Sequence, residues 1–222
     1  CSLSKTVISA LEKESRSQLL PCSRRLPEEW SSEEYVLKMN RETWSFIIVA
    51  GGTGTRLGGI PKQFRLLDGC PVWKWSAKIA EELFKDGMVD ELVIVVPEKS
   101  LAEVKGRCDL KIPTRLAAGG TTRSQSVMNG LKNSCGSHVL VHDAARPFIT
   151  KELCLELIKN TAIHGASIPL IGSSDSLKRL DSGKMVCADR KKFFRTQTPQ
   201  AFEKLTLIDA IRSFGFQGTD EA

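Results

Sequence analysis

A run of β-branched residues that breaks directly into a glycine-rich loop constrains this chain more than any other feature. Phe46-Ile47-Ile48-Val49 carries no polar interruption and reads as a buried strand. The loop continues V-A-G-G-T-G-T-R-L-G-G-I-P-K-Q-F over residues 49–64. Glycines free the backbone from Cβ sterics, so peptide N–H groups can close on an anion. Arg56 and Lys62 add two positive charges to that cradle. Strand, loop and cations predict a site for a phosphorylated ligand. Two common glycine loops are excluded. A Walker loop ends in Gly-Lys-Ser/Thr, which is absent, and Leu57 stands where a dinucleotide fingerprint begun at Gly52 and Gly54 needs its third glycine. For this stretch alone, a glycine turn without a ligand is the plain alternative.

Beyond this loop the chain repeats the same plan. Pro71 sits where a helix can begin, with Val72, Ala77, Ile79, Ala80 and Leu83 on an apolar face down to about Lys85. Leu92 to Val96 reads as a buried strand, Ser100 to Lys105 as a short helix, and Thr114 to Ala117 as a weaker strand. Gly119-Gly120-Thr121-Thr122-Arg123-Ser124-Gln125-Ser126-Val127 reads as a second glycine turn opening a helix to about Lys132. His138 to His142 is a strand running into Asp143-Ala144-Ala145-Arg146-Pro147. Thr150 caps a helix to about Ile163, and Ala166 to Leu170 predicts another strand. Asp175 to Asp189 suggests a hairpin arm, and Glu203 to Ser213 a closing helix.

Strands alternating with helices predict an α/β fold with an open, mostly parallel sheet flanked by helices. In such sheets ligands bind beyond the carboxyl ends of the strands. The clusters Gly51 to Lys62, Gly119 to Ser126 and His142 to Arg146 each follow an apolar strand, so they are expected to form one site.

Composition narrows the classes. A chain of 222 residues with 41% hydrophobic and 26% charged residues suits a globular domain with an appendage. No stretch approaches the roughly 18 apolar residues of a membrane span, so no membrane role is expected. The net charge of +6 suits polyphosphate substrates as well as nucleic acid. With aromatics at 6% and no RNA-binding aromatic motif, no nucleic-acid partner is expected. Seven scattered cysteines without a C-x-x-C pair argue against a zinc site and a disulfide framework, and for small buried apolar roles in a reducing cytoplasm. Residues 1–44 differ in character. Pro21, Pro27 and the pairs Glu28-Glu29 and Glu33-Glu34 read as an extension or linker, and Glu12 and Glu14 speak against a transit peptide. The domain is expected over 45–222. Since the first residue is Cys1, the natural start is expected upstream.

The motifs A-G-G-T-G-T-R-L-G with P-K-Q-F, G-G-T-T-R-S-Q-S-V, V-H-D-A-A-R-P-F, D-S-L-K-R, A-D-R and Q-T-P-Q-A-F occur in this order over residues 46–222. Together they resemble the 2-C-methyl-D-erythritol 4-phosphate cytidylyltransferase family of the non-mevalonate isoprenoid pathway. The resemblance implies a Rossmann-like nucleotidyltransferase that transfers CMP from CTP to methylerythritol phosphate and releases pyrophosphate. It places Arg56 and Lys62 as catalytic cations around the triphosphate. Ala50, Gly51, Gly52, Gly54, Gly120, Thr121, Ser126 and Ala144 match CTP-binding positions. Asp143 matches the carboxylate beside the metal and the acceptor, and is the candidate ligand for Mg²⁺. Ser176 (where the family usually has Thr), Arg190 and Thr198 match positions that bind the sugar-alcohol phosphate. Ser176 and Arg190 are then carried on an arm, about residues 172–192, that in the family reaches into a partner subunit of a homodimer. Family members continue past Ala222 through a strand bearing a further triphosphate lysine and a closing helix, so the chain is expected to be truncated there. Some relatives carry a fused cyclodiphosphate synthase.

The chemistry agrees with that reading. A phosphate monoester attacking the α-phosphate of CTP is already ionised, so the reaction needs charge neutralisation and alignment more than a base. His142 is therefore expected to be structural. Asp143 as a turn cap and Arg146 as either loop ion pair or ligand contact stay open. The cluster Arg190-Lys191-Lys192-Arg195 reads as solvated surface apart from Arg190. The alternatives are ribitol 5-phosphate cytidylyltransferase, against which Ala145 and the Lys178-Arg179 pair speak, and an inactive nucleotide-binding or interaction module.

Overall fold

The structure, a computed structural model, describes residues 42–52 and 61–214. Gly54 and Arg56 lie outside the described residues, as do residues 1–41 and 215–222. The first strand, β1 (Trp44–Val49), lies at the middle of a six-stranded sheet. It pairs in parallel with β4 (Glu91–Val96) on one side and with β6 (His138–Asp143) on the other. A further parallel strand, β5 (Thr114–Ala118), lies outside β4. The chain therefore runs outward from β1 through β4 to β5 and then crosses back to the opposite side of β1. The order reverses between β1 and β6, and the crevice of an open sheet forms at such a reversal.

Both faces of the sheet are covered, which explains why its strands read as unbroken apolar runs. Helices α1 (Val72–Lys85), α2 (Leu101–Gly106) and α4 (Lys151–His164) cover one face, where Phe46, Ile48, Trp73, Leu83, Leu92 and Leu157 share a core. Helices α3 (Arg123–Asn133) and α5 (Lys204–Phe214) cover the other, against Ile47, Val95, Val127, Val141 and Leu207. Full burial of one such side chain stabilises by about 1.5–3 kcal/mol, so the alternation of odd and even strand residues between the two faces holds β1 in register. Thr150 caps α4 as expected, accepting the Leu153 N–H at 3.3 Å.

Several expectations need correction. The strand expected over Ala166 to Leu170 is two: β7 (Ala166–Ser167) on the edge of the main sheet, and β8 (Leu170–Gly172) in a separate pair with β11 (Phe194–Thr196). Pro169, between them, has no N–H to give a ladder. An unexpected strand, β12 (Gln200–Glu203), inserts antiparallel between β6 and β7. A small hairpin, β2 (Leu66–Leu67) and β3 (Cys70–Pro71), precedes α1. Of the five described cysteines, all free, only Cys154 is buried, where burial pushes its thiol up to about 12. Cys135 and Cys187 are exposed, so the expectation of small buried apolar roles fails there.

The expected hairpin is present as β9 (Leu177–Asp181) and β10 (Lys184–Ala188), paired antiparallel in a sheet of their own. Ser182 (φ 48°) and Gly183 (φ 79°) both take left-handed backbone, the two-residue turn whose twist matches paired strands.

Candidate active site

Three backbone turns meet at the carboxyl ends of the parallel strands. Val49 and Asp143 are register partners, so β1 and β6 end level. Ala50 N–H donates to the Val95 carbonyl at 2.7 Å, Gly119 N–H to Val96 at 2.8 Å, and Ala144 N–H to Val49 at 3.0 Å. The sheet ladder thus extends into each polar loop and fixes where it begins.

The first loop is clamped from within. Gln63, buried on the short 3-10 turn Lys62–Phe64, donates through Nε2 to the carbonyls of Ala50 at 2.7 Å and Gly52 at 2.6 Å. That ties the start of the glycine loop to its end. Lys62, the residue before Gln63, is exposed. Sequence reasoning gives Gln63 no role; it stands in P-K-Q-F, but only the fold brings its amide back to residues 50 and 52.

The second turn lies against the first. A Cβ on Gly51 would sit 3.0 Å from Ser126 Oγ and 3.4 Å from Gly119 Cα, and one on Gly119 would sit 3.1 Å from Gly51 Cα. The two loops therefore touch backbone to backbone, which only glycine permits. Ser126 Oγ accepts the Gly120 N–H at 3.0 Å and donates to the Thr122 carbonyl at 2.9 Å. Thr122 caps α3 by accepting the Gln125 N–H at 3.1 Å, and Gln125 Oε1 accepts both the N–H and the hydroxyl of Thr121. Gly120, Thr121 and Ser126 thus form one self-bonded turn at the N-terminal end of α3, beside Ala50, Gly51 and Gly52.

Asp143 ends β6 between two arginines. Arg123, the first residue of α3, approaches Oδ1 with Nε at 3.1 Å and Nη2 at 3.0 Å. Arg146 brings Nε to 3.3 Å of Oδ2 and also donates to Gln197 Oε1. Arg146 is therefore part of the ion pair that holds the loop. Arg123 has no role in the sequence beyond its place in the second glycine motif; its position at the start of the helix is the available signal. Ala144 is buried behind Asp143.

Behind this pair lies a polar wire. His142 is fully buried, and burial lowers its pKa to about 4, so its ring is neutral near pH 7. Its Nε2 lies 3.0 Å from the Arg146 carbonyl and its Nδ1 lies 3.0 Å from Thr198 Oγ1. The Asp143 N–H donates to the same Thr198 hydroxyl at 3.3 Å. Thr198, expected to bind substrate, is buried and already bonded on two sides.

Ser176 and Arg190 lie together at the base of the β9–β10 hairpin. Both are exposed, and Arg190 Nη1 donates to the Ser174 carbonyl at 2.7 Å, bracing the segment that carries Ser176. The described residues thus group Ala50, Gly51, Gly52, Lys62, Gly120, Thr121, Ser126, Asp143 and Ala144 about one crevice, with Ser176 and Arg190 on a separate hairpin.

A carboxylate that ends a strand beside two glycine loops suits a hard cation. Mg²⁺ commonly takes one or two carboxylates, substrate phosphates and waters, and Asp143 Oδ2, with the single Arg146 contact, keeps a lone pair where Oδ1 takes both Arg123 contacts. The donor chemistry at Asp143 therefore fits that ion.

Comparison with known proteins bears on this geometry. The profile of IspD, 2-C-methyl-D-erythritol 4-phosphate cytidylyltransferase, matches residues 45–222. A protein of that name from Thermotoga neapolitana is 39% identical over 160 residues, covering 70% of this chain and 71% of that one. A bifunctional enzyme IspD/IspF from Anaeromyxobacter dehalogenans is 37% identical over 177 residues, covering 76% of this chain, which spans only 44% of that relative. Among solved structures, a 4-diphosphocytidyl-2C-methyl-D-erythritol synthase from Anaerococcus prevotii superposes with a TM-score of 0.70 at 26% identity, covering 81% of each chain. The matched span takes in every strand end that builds the crevice, and the chain belongs to the 2-C-methyl-D-erythritol 4-phosphate cytidylyltransferase family.

Proposed function

We propose that this chain transfers the cytidylyl group of CTP to 2-C-methyl-D-erythritol 4-phosphate, giving 4-diphosphocytidyl-2-C-methyl-D-erythritol and pyrophosphate. The observation that carries the reading is the meeting of the two glycine loops and Asp143 at the reversal of strand order, in a member of this family. A phosphate oxygen of the acceptor forms the new bond to the α-phosphorus. The bond from that phosphorus to the bridging oxygen breaks, and its electrons leave with pyrophosphate.

The polar loops bind and align. Ala50, Gly51 and Gly52 pack on the nucleoside, and Gly54 is a further CTP-binding position. Gly120, Thr121 and Ser126, with Ala144, hold the base. Arg56 and Lys62 neutralise charge as it builds on the triphosphate. Asp143 would hold Mg²⁺, which when bound supplies further neutralisation between the phosphates. No side chain has to remove a proton from an ionised phosphate.

The acceptor contacts come from Ser176 and Arg190, with Thr198 behind Asp143. In this reading the hairpin is an arm that enters a second copy of the chain. Leu180, Met185 and Val186 are exposed on it, and a lone two-stranded hairpin gains stability by covering such residues. The bifunctional relatives support a fused or associated cyclodiphosphate synthase, and a cytoplasmic location is part of the same reading.

The test is pyrophosphate release by the protein carrying this chain, with CTP, Mg²⁺ and methylerythritol phosphate. Lys62→Ala should lower kcat by about 100-fold, equivalent to roughly 3 kcal/mol, with little change in KM. Turnover of ribitol 5-phosphate in place of methylerythritol phosphate, or a folded protein silent with both, overturns the reading.

A further inference from the structure

The fixed acceptor at one end of the wire behind Asp143 orders its hydrogen-bond directions for a ring with one proton. The Arg146 carbonyl can only accept, so His142 Nε2 must carry the proton that bridges their 3.0 Å separation. A neutral ring then leaves Nδ1 bare, and Nδ1 accepts the Thr198 hydroxyl proton across 3.0 Å. With that proton spent, the Thr198 oxygen is an acceptor for the Asp143 N–H at 3.3 Å. The turn itself closes by the Arg146 N–H donating to the Asp143 carbonyl at 3.0 Å. His142 thus touches the far end of the 143–146 turn directly and its near end through Thr198. Phe46 lies edge-on to the ring at 6.2 Å and restrains its rotation.

We propose that His142, bonded through Nε2 to the Arg146 carbonyl and through Nδ1 to Thr198, is a positioning residue that sets Asp143 and Arg146 against the glycine loops. It touches no reacting atom. Its two hydrogen bonds fix both ends of the turn, and that turn carries the carboxylate and the guanidinium to the crevice. Thr198 is the second member of the same device, coupling the segment before β12 to the end of β6. The proposal rests on the cytidylyl-transfer reading only for its effect on turnover; the placement itself can be measured without any reaction.

Two substitutions separate the two bonds. His142→Gln can keep an N–H near the Nε2 position, facing the Arg146 carbonyl. His142→Asn can keep an acceptor near the Nδ1 position, facing Thr198, and loses that donor. Since displacing aligned groups by about 1 Å costs about 100-fold, kcat should fall by about that factor in His142→Asn, with KM for CTP within about twofold. His142→Gln should recover about tenfold of the loss. Imidazole ¹⁵N spectra of the wild type should show a protonated Nε2 and a bare Nδ1. Amide exchange at Arg146 should stay slow in His142→Gln and quicken in His142→Asn, while Val139 and Leu140 remain protected in both.

An Nδ1–H tautomer in the wild type overturns the proposal. So does equal kcat in the two variants, or a fall in melting temperature with kcat intact. A wild-type protein that shows the expected tautomer and exchange pattern but releases no pyrophosphate sinks the cytidylyl-transfer reading and leaves the placement standing.

Discussion

Gly119→Ala isolates the contact between the two glycine loops. Gly119 does not use left-handed backbone, so alanine there brings no conformational strain, and the effect is steric. The new methyl would sit 3.1 Å from Gly51 Cα, 3.5 Å from Ser126 Oγ and 3.6 Å from the Val96 carbonyl. The first distance is decisive, because its neighbour is backbone and cannot rotate away. Neither loop yields easily. Gly119 is tied to Val96, and Gly51 lies between two residues whose carbonyls are both held by Gln63. Overpacking of this kind costs about 1–3 kcal/mol, offset by about 0.4–1 kcal/mol from the stiffer unfolded chain. Net destabilisation should be about 1 kcal/mol, and the loops should part by a few tenths of an ångström. Because those loops carry the proposed CTP contacts, kcat/KM for CTP should fall by at least about tenfold, more than the stability change alone implies. Gly52→Ala is the stability control, since among the described residues nothing lies within 4 Å of its added Cβ. Calorimetric melting and initial rates over a CTP series make the comparison. A Gly119→Ala protein with wild-type kcat/KM for CTP would refute the idea that the loops must touch.

Two further predictions concern the frame around the site. Glu91 is buried at the start of β4, where its carboxylate accepts the Ser45 hydroxyl at 2.7 Å and the Cys135 N–H, with Arg115 at 3.6 Å. Glu91→Ala strands two donors at about 1–3 kcal/mol each; urea unfolding should show a loss of about 2–6 kcal/mol, and one below about 1 kcal/mol would mean the donors find other partners. The second concerns acid. His142 has a folded pKa of about 4 against an ordinary 6.5, so between those values the unfolded chain binds more protons. Its contribution is complete above pH 6.5 and drains away as pH falls to 4, a loss of about 3 kcal/mol. His142→Gln should flatten that part of the stability profile, and an unchanged slope would place the titration elsewhere.

The parts of the fold legible in the sequence are those whose burial pattern is local. β1, β4 and β6 lie under helices on both faces, so apolar content alone marks them. α4 announces itself through Thr150, and the β9–β10 hairpin through its alternation about Gly183. β12 carries no such signal. Gln200-Ala201-Phe202-Glu203 offers two apolar residues, and it becomes a strand only because β6 and β7 lie open on either side. The 166–170 stretch reads as one strand only if Pro169 is passed over, although a proline within a run is reason to divide it.

The same distinction separates the legible from the hidden residues of the site. Glycines and charged groups left to face a ligand stand in compact motifs, since one loop must present several of them at once. The groups that hold those loops have no such constraint, because their partners are protein atoms brought near by the fold. Gln63 reaches back to residues 50 and 52, Arg123 reaches across to Asp143, and Thr198 joins His142 from the segment before β12. No spacing rule links those pairs. What they share is a polar atom at the buried or half-buried side of a loop whose other side is open. This predicts two kinds of damage. Changes to outward groups such as Lys62 should remove charge from a site that keeps its shape. Changes to Gln63 or His142 should leave every charge in place and lose the alignment that makes the charges act together.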